Sequence, residues 1–136
     1  MFALSFHEFA HAWMAEKCGD STAARMGRLT LNPMAHLDMM GSLMILFVGF
    51  GWAKPVPVDG RNLRNPRTDM MKVAAAGPVS NLLLAMVAGM VLRFMNGTGL
   101  LTDSIFILLI YFTRINIALA VFNLIPVAPL DGSQIF

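Results

Sequence analysis

The chain has 136 residues, of which 57% are hydrophobic and 13% charged, with a formal net charge of +2. A soluble domain carries about 25% charged residues, so the composition points to a membrane protein, and the length allows one domain over residues 1–136. So small a net charge argues against nucleic acid as a partner, and Cys18, the only cysteine, excludes an intrachain disulfide.

Four apolar stretches follow one another: Met1 to about Glu16, Leu37–Ala53, Met70–Met95 and Ser104 to about Ile125. The N-terminus has no basic n-region and places His7 and Glu8 where a signal peptide would be apolar, so no signal peptide is expected. A spanning helix needs about 20 residues. The third and fourth stretches meet that length. The second is short, contains Gly41, Gly49 and Gly51, and runs into the proline-broken Trp52-Ala53-Lys54-Pro55-Val56-Pro57-Val58. It reads as a short helix or re-entrant segment.

Charge placement agrees. Lys17, Arg25 and Arg28 precede the second stretch, and Lys54, Arg61, Arg64, Arg67 and Lys72 follow it. Positively charged loops stay cytoplasmic, so both flanks belong on one side and the second stretch does not cross. The uncharged loop Asn96–Thr102 fits the opposite face. The fourth stretch then brings Pro126–Gly132 back to the side where the first helix ends.

Within the first stretch, Phe6-His7-Glu8-Phe9-Ala10-His11 holds the HExxH spacing. Residues four apart share a helix face, so His7 and His11 can grip one zinc ion with Glu8 beside them. Zinc acidifies a bound water, and Glu8 can take its proton and pass it to a leaving amine. A bare HExxH is more often two packed histidines. Three ionisable groups within five residues of an apolar helix are costly, however, and that favours function. A catalytic zinc usually takes three protein ligands. Lys17 stands where the HExxHxxGxxH pattern would need a histidine, and Glu16 and Asp20 lie too near the same helix to fold back. Asp131, in the apolar run Asn123-Leu124-Ile125-Pro126-Val127-Ala128-Pro129-Leu130-Asp131-Gly132, is the strongest candidate. Alone it would read as an Asp-Gly turn or cap; its return to the side of His7 and His11 makes it the expected third ligand.

FHEFAH followed by the distal FNLIPVAPLDG resembles the site-2 protease family of intramembrane zinc metalloproteases, and GRLTLNPMAHLD, GFGWAKPVPV and AAGPVSN resemble its small bacterial and archaeal members. The resemblance covers nearly the whole chain. It implies His7, His11 and Asp131 as zinc ligands, Glu8 as general base, and cleavage of a membrane-embedded peptide segment of a membrane-protein substrate near the cytoplasmic face. The expected fold is an all-α membrane protein: about three core transmembrane helices, plus a short re-entrant or interfacial segment with a small extended, β-like loop. A multi-pass place in the plasma-membrane bilayer is expected, with the site toward the cytoplasm. Family members normally carry more helix before the first motif and after the second, so the scaffold is expected to be shortened at both ends.

Two asparagines sit near these motifs. Asn81 either donates to the oxyanion of a tetrahedral intermediate or ties helices together, and the family analogy favours the oxyanion. Asn123 either orients Asp131 or caps the broken helix. Lys54–Val58 either pairs with an unwound substrate by strand addition, favoured by the family, or forms a rigid interfacial loop anchored by Trp52. His36 is expected to pair with Asp38 or backbone outside the metal set. Against the peptidase stand a catalytically silent membrane protein that binds or regulates a partner, and, more weakly, a transporter. The complete His-Glu-His-Asp set favours the peptidase, because Glu8 is not a ligand and a silent relative has no use for it.

Overall fold

The computed structural model describes all residues from 1 to 136 and is built from helices. Helix α1 spans Phe2–Lys17, α2 Thr22–Arg25, α3 Met39–Val48, α4 Pro66–Thr98, α5 Asp103–Asn123 and α6 Gly132–Ile135. Short 3-10 turns occupy Pro33–His36 and Gly60–Asn62. No strand forms, and the expected extended loop retains a single antiparallel bridge, Leu37 to Ala53.

Local sequence sets the boundaries. Asp38 caps α3 by accepting from the Gly41 N–H at 2.8 Å, and Thr102 caps α5 by accepting from the Ile105 N–H at 3.3 Å. Helix α4 starts on Pro66, whose fixed φ and missing N–H suit a first helical position. It therefore begins one turn before the apolar stretch that marks it in sequence. Its first turn, with Arg67 and Asp69, is helical but polar, and hydropathy does not register it.

Helices α1, α4 and α5 form the body. Their contacts use small side chains: Ala3, Ala10, Ala12 and Ala15 of α1, Ala74, Gly77, Ala85 and Ala88 of α4, and Ala120 of α5. Small residues let helix backbones approach closely, as helices do where water supplies no drive for association. The large apolar side chains point outward instead, among them Leu83, Met86, Met90 and Phe94 on α4 and Ile107, Leu108 and Val121 on α5. Helices α4 and α5 are each long and apolar enough to cross a membrane, while α1, at 16 residues, is shorter. Only 11% of the most apolar stretch of α5 is buried. A core helix of a soluble protein is mostly covered, and α5 is not.

Candidate metal centre

Helix α1 turns its two histidines toward α4, where His7 and His11 are 3% and 7% exposed. Gly77 makes this possible. A Cβ built on Gly77 would lie 2.5 Å from His11 Nε2 and 2.6 Å from His7 Cε1, so the imidazoles occupy the space a side chain would fill.

Each ring is held by its other nitrogen. His7 Nδ1 lies 2.6 Å from Asn81 Oδ1, and His11 Nδ1 lies 2.7 Å from the Val73 carbonyl oxygen. Both partners accept only, so each Nδ1 carries the proton and donates it, leaving a bare lone pair on each Nε2. The two Nε2 atoms are 3.0 Å apart. Asp131 Oδ2 completes the triangle, 3.1 Å from His7 Nε2 and 3.2 Å from His11 Nε2.

Asp131 reaches this point because α5 ends at Asn123 and two prolines, Pro126 and Pro129, prevent the helix from resuming. The chain then turns tightly, with Val127 N–H donating to Ile125 O at 2.8 Å and Leu130 N–H to Val127 O at 2.9 Å. Gly132 lies against the Leu124 and Ile125 carbonyls, where a Cβ would collide with both, so α6 begins pressed onto the end of α5.

Three lone-pair atoms thus converge with no proton between them, and Asp131 Oδ2 is buried without a hydrogen-bond partner. Such an arrangement is repulsive unless a cation occupies its centre. Zinc fits: Zn–N and Zn–O bonds of about 2.0–2.1 Å place tetrahedral ligand atoms roughly 3.3–3.4 Å apart, close to the spacings here. Two imidazoles and one carboxylate are also a donor set that suits zinc and leaves a fourth position open.

The triangle opens into a cavity of about 540 Å³. Glu8 lines it beside the histidines, half-buried, and its carboxylate takes part in no hydrogen bond within the chain. The opposite wall comes from Trp52, Pro55, Val56 and Val58.

The two asparagines divide. Asn81 is fully buried, and its amide donates to Ala3 O at 3.1 Å and to Asn116 Oδ1 at 2.8 Å. Both amide protons are therefore committed, its oxygen accepts from His7, and it does not line the cavity. No donor is left for an oxyanion, and the geometry places Asn81 behind His7 instead. Asn123 does line the cavity; one amide proton goes to Leu119 O at 2.9 Å and the other is free. His36 lies apart from the triangle, with Nε2–H donating to Thr30 O at 2.7 Å.

Three contributors had weak signals or none in sequence. Asn116 was visible as a polar residue in an apolar helix, and it anchors Asn81 while donating to Phe112 O at 2.8 Å. Gly77 lay in a run of small residues whose use was not evident. The Val73 carbonyl is backbone, and sequence does not mark it.

Residues 1–108 match peptidase family M50. The chain belongs to that family. It is 44% identical to a Bacillus subtilis protein named "Putative zinc metalloprotease YwhC", over 98% of this chain and 63% of that protein. Proteins of Mycobacterium tuberculosis and Mycolicibacterium smegmatis, both named "Putative zinc metalloprotease Rip2", are 32% and 30% identical, each over 97% of this chain and 52% of their own length. The M50 chain therefore spans between half and two thirds of these relatives. No solved structure matches it significantly. The site-2 protease resemblance seen in the sequence is thus a family membership.

Proposed function

We propose that this M50 chain is the catalytic core of a zinc endopeptidase that hydrolyses peptide bonds in or beside transmembrane segments of membrane-protein substrates. The observation that carries this is the convergence of His7 Nε2, His11 Nε2 and the partnerless Asp131 Oδ2, with Glu8 free in the adjoining cavity. His7, His11 and Asp131 would hold zinc, which when bound supplies Lewis acidity that acidifies water and polarises a carbonyl. Glu8 accepts the proton of the attacking water and delivers it to the leaving amine. Asn123, with its free amide proton at the cavity edge, donates to the oxygen on which negative charge develops. Asn81 fixes the His7 tautomer.

A substrate helix hides its carbonyls and must be extended before attack. The N–H and C=O groups of Val56 and Val58 form no hydrogen bond within the chain. Two residues apart, they share one edge of an extended segment, and an unwound peptide can pair with that edge by strand addition. Pro55 and Pro57 have no N–H to offer, which confines pairing at their own positions to carbonyl acceptors.

In a plasma-membrane bilayer we place α1, α4 and α5 as three core helices and α3 as an interfacial or re-entrant segment. Helix α3 supports this with Leu46, Phe47 and Val48 exposed on ten residues, about 15 Å of rise, too short to cross. The eight basic residues between Lys17 and Lys72 support a site facing the cytoplasm, because positively charged loops stay on that side.

Glu8→Gln tests the proposal. It removes the proton acceptor and keeps shape and ligands, so cleavage of an unfolded protein such as fluorescein-labelled casein should fall by at least about 10²-fold with zinc retained. Cleavage at the parent rate would sink the peptidase and leave the silent membrane-binding relative.

A further inference from the structure

Arg28 is 5% exposed, yet no carboxylate pairs with it. A buried, unpaired guanidinium is costly to keep, and its bonds show where that cost is offset. Nη1 donates to the Pro55 carbonyl at 3.0 Å, and Nη2 donates to the Lys54 carbonyl. Nη2 also lies 3.3 Å from His36 Nδ1. His36 uses its Nε2 proton on Thr30 O, so its Nδ1 is a lone pair facing Arg28. The Arg28 Nε–H is buried without a partner, so the bonding is concentrated on the two Nη groups that face residues 54 and 55.

Those residues lead into the cavity wall. The segment is fixed before them by Lys54 N–H donating to His36 O at 2.8 Å, and after them by Asp59 N–H donating to Asp20 Oδ2 at 2.7 Å. Between these points Arg28 is its only side-chain anchor. Pro55, Val56 and Val58 face the cavity with Glu8, whereas Arg28 stands behind them and does not line it. Burial weakens proton binding by Arg28.

We infer that Arg28 is a positioning residue: through the Lys54 and Pro55 carbonyls its guanidinium sets the wall Lys54–Val58 at the distance from Glu8 at which a peptide is held. The substrate readout of this inference rests on the peptidase reading above. A planar fork with several donors can serve two carbonyls and a ring nitrogen at once; an ammonium cannot do so in the same geometry. Arg28 therefore governs how well substrate binds, while the metal triangle and Glu8 stay as they are.

The test uses Arg28→Lys and Arg28→Gln in the full, detergent-solubilised chain, with three readouts. These are bound zinc, KM and kcat on fluorescein-labelled casein, and Trp52 emission in a Trp13→Phe background. Both variants should keep parental zinc. KM should rise roughly tenfold or more in Arg28→Gln and by less in Arg28→Lys, with kcat within about twofold, the scale of losing a charge-assisted bond. Trp52 emission should shift as the wall loosens. Loss of zinc, a fall in kcat at unchanged KM, or no change in any readout would overturn the inference. So would an Arg28→Lys protein that cannot be recovered folded, because Arg28 would then serve folding. A parent that neither binds zinc nor cuts casein would refute the peptidase reading instead. Trp52 emission then decides the clamp alone, and unchanged emission in Arg28→Gln would refute it.

Discussion

Replacing Gly77 with alanine adds one methyl group to α4 at the point where both imidazoles rest. That carbon would sit 2.5 Å from His11 Nε2, 2.6 Å from His11 Cε1 and 2.6 Å from His7 Cε1, about 1 Å inside ordinary contact. Neither ring can retreat freely. His7 is tied by Nδ1 to Asn81 at 2.6 Å and His11 to Val73 O at 2.7 Å, and both partners lie on the same helix as Gly77. Either α1 moves away from α4, or the rings rotate and lose the bonds that fix their tautomers. Overpacking costs about 1–3 kcal/mol, against a helix-propensity gain of roughly 0.5–1 kcal/mol for Gly→Ala. Net stability is therefore a blunt readout. Metal affinity is sharper, because losing one such outer partner weakens binding by about 10- to 100-fold. Zinc affinity by chelator competition should fall at least that far in Gly77→Ala. Gly89 supplies the control: it lies on the same helix with nothing within 4 Å of its added Cβ, so Gly89→Ala should bind zinc like the parent. Parental zinc affinity in Gly77→Ala would refute the packing account of the site.

Other expectations are equally direct. Asn81→Leu removes the acceptor of His7 Nδ1 and strands the Asn116 oxygen, so zinc affinity should drop about 10- to 100-fold with about 1–3 kcal/mol of stability lost; chelator competition and thermal unfolding measure both. Gly132→Ala collides with the Leu124 and Ile125 carbonyls and should displace Asp131, lowering bound zinc while α4 and α5 keep their helical circular dichroism. Asp20 is buried, which alone would raise its pKa, but the Thr22 hydroxyl, the Asp59 N–H, the Asn62 amide and the Thr22 N–H together hold it below its ordinary 3.8. Its contribution to stability is present in full above pH 3.8 and is lost as pH falls through the lowered folded value. Parent and Asp20→Asn should therefore differ in thermal unfolding at pH 7 and converge only in strong acid.

How much of this could be read in the sequence depended on the kind of signal. His7, Glu8 and His11 announce themselves by spacing, because a helix converts a four-residue interval into one face. Asp131 stands 120 residues beyond His11 and was reached through charge placement, which returned the end of the fourth stretch to the side of the first. The structure sets these atoms 3.0–3.2 Å apart. The oxyanion role expected of Asn81 rests on the family analogy, but a bond to an oxyanion and a bond to His7 need the same amide turned in different directions. Sequence does not encode that direction. Arg28 illustrates another limit. Counted as one of several basic loop residues, it served the topology, and nothing in its neighbours Gly27 and Leu29 tells that it is buried against the carbonyls of Lys54 and Pro55. Backbone contributions such as the Val73 carbonyl leave no residue-level trace at all.

The central claim is that the two ends of the chain build one metal site, and zinc per chain in purified, detergent-solubilised protein tests it most directly, with Asp131→Ala measured alongside. About one zinc in the parent and far less in the variant is the predicted result for a three-ligand site missing one ligand. A folded parent without zinc, or an Asp131→Ala protein that holds as much zinc as the parent, would contradict it.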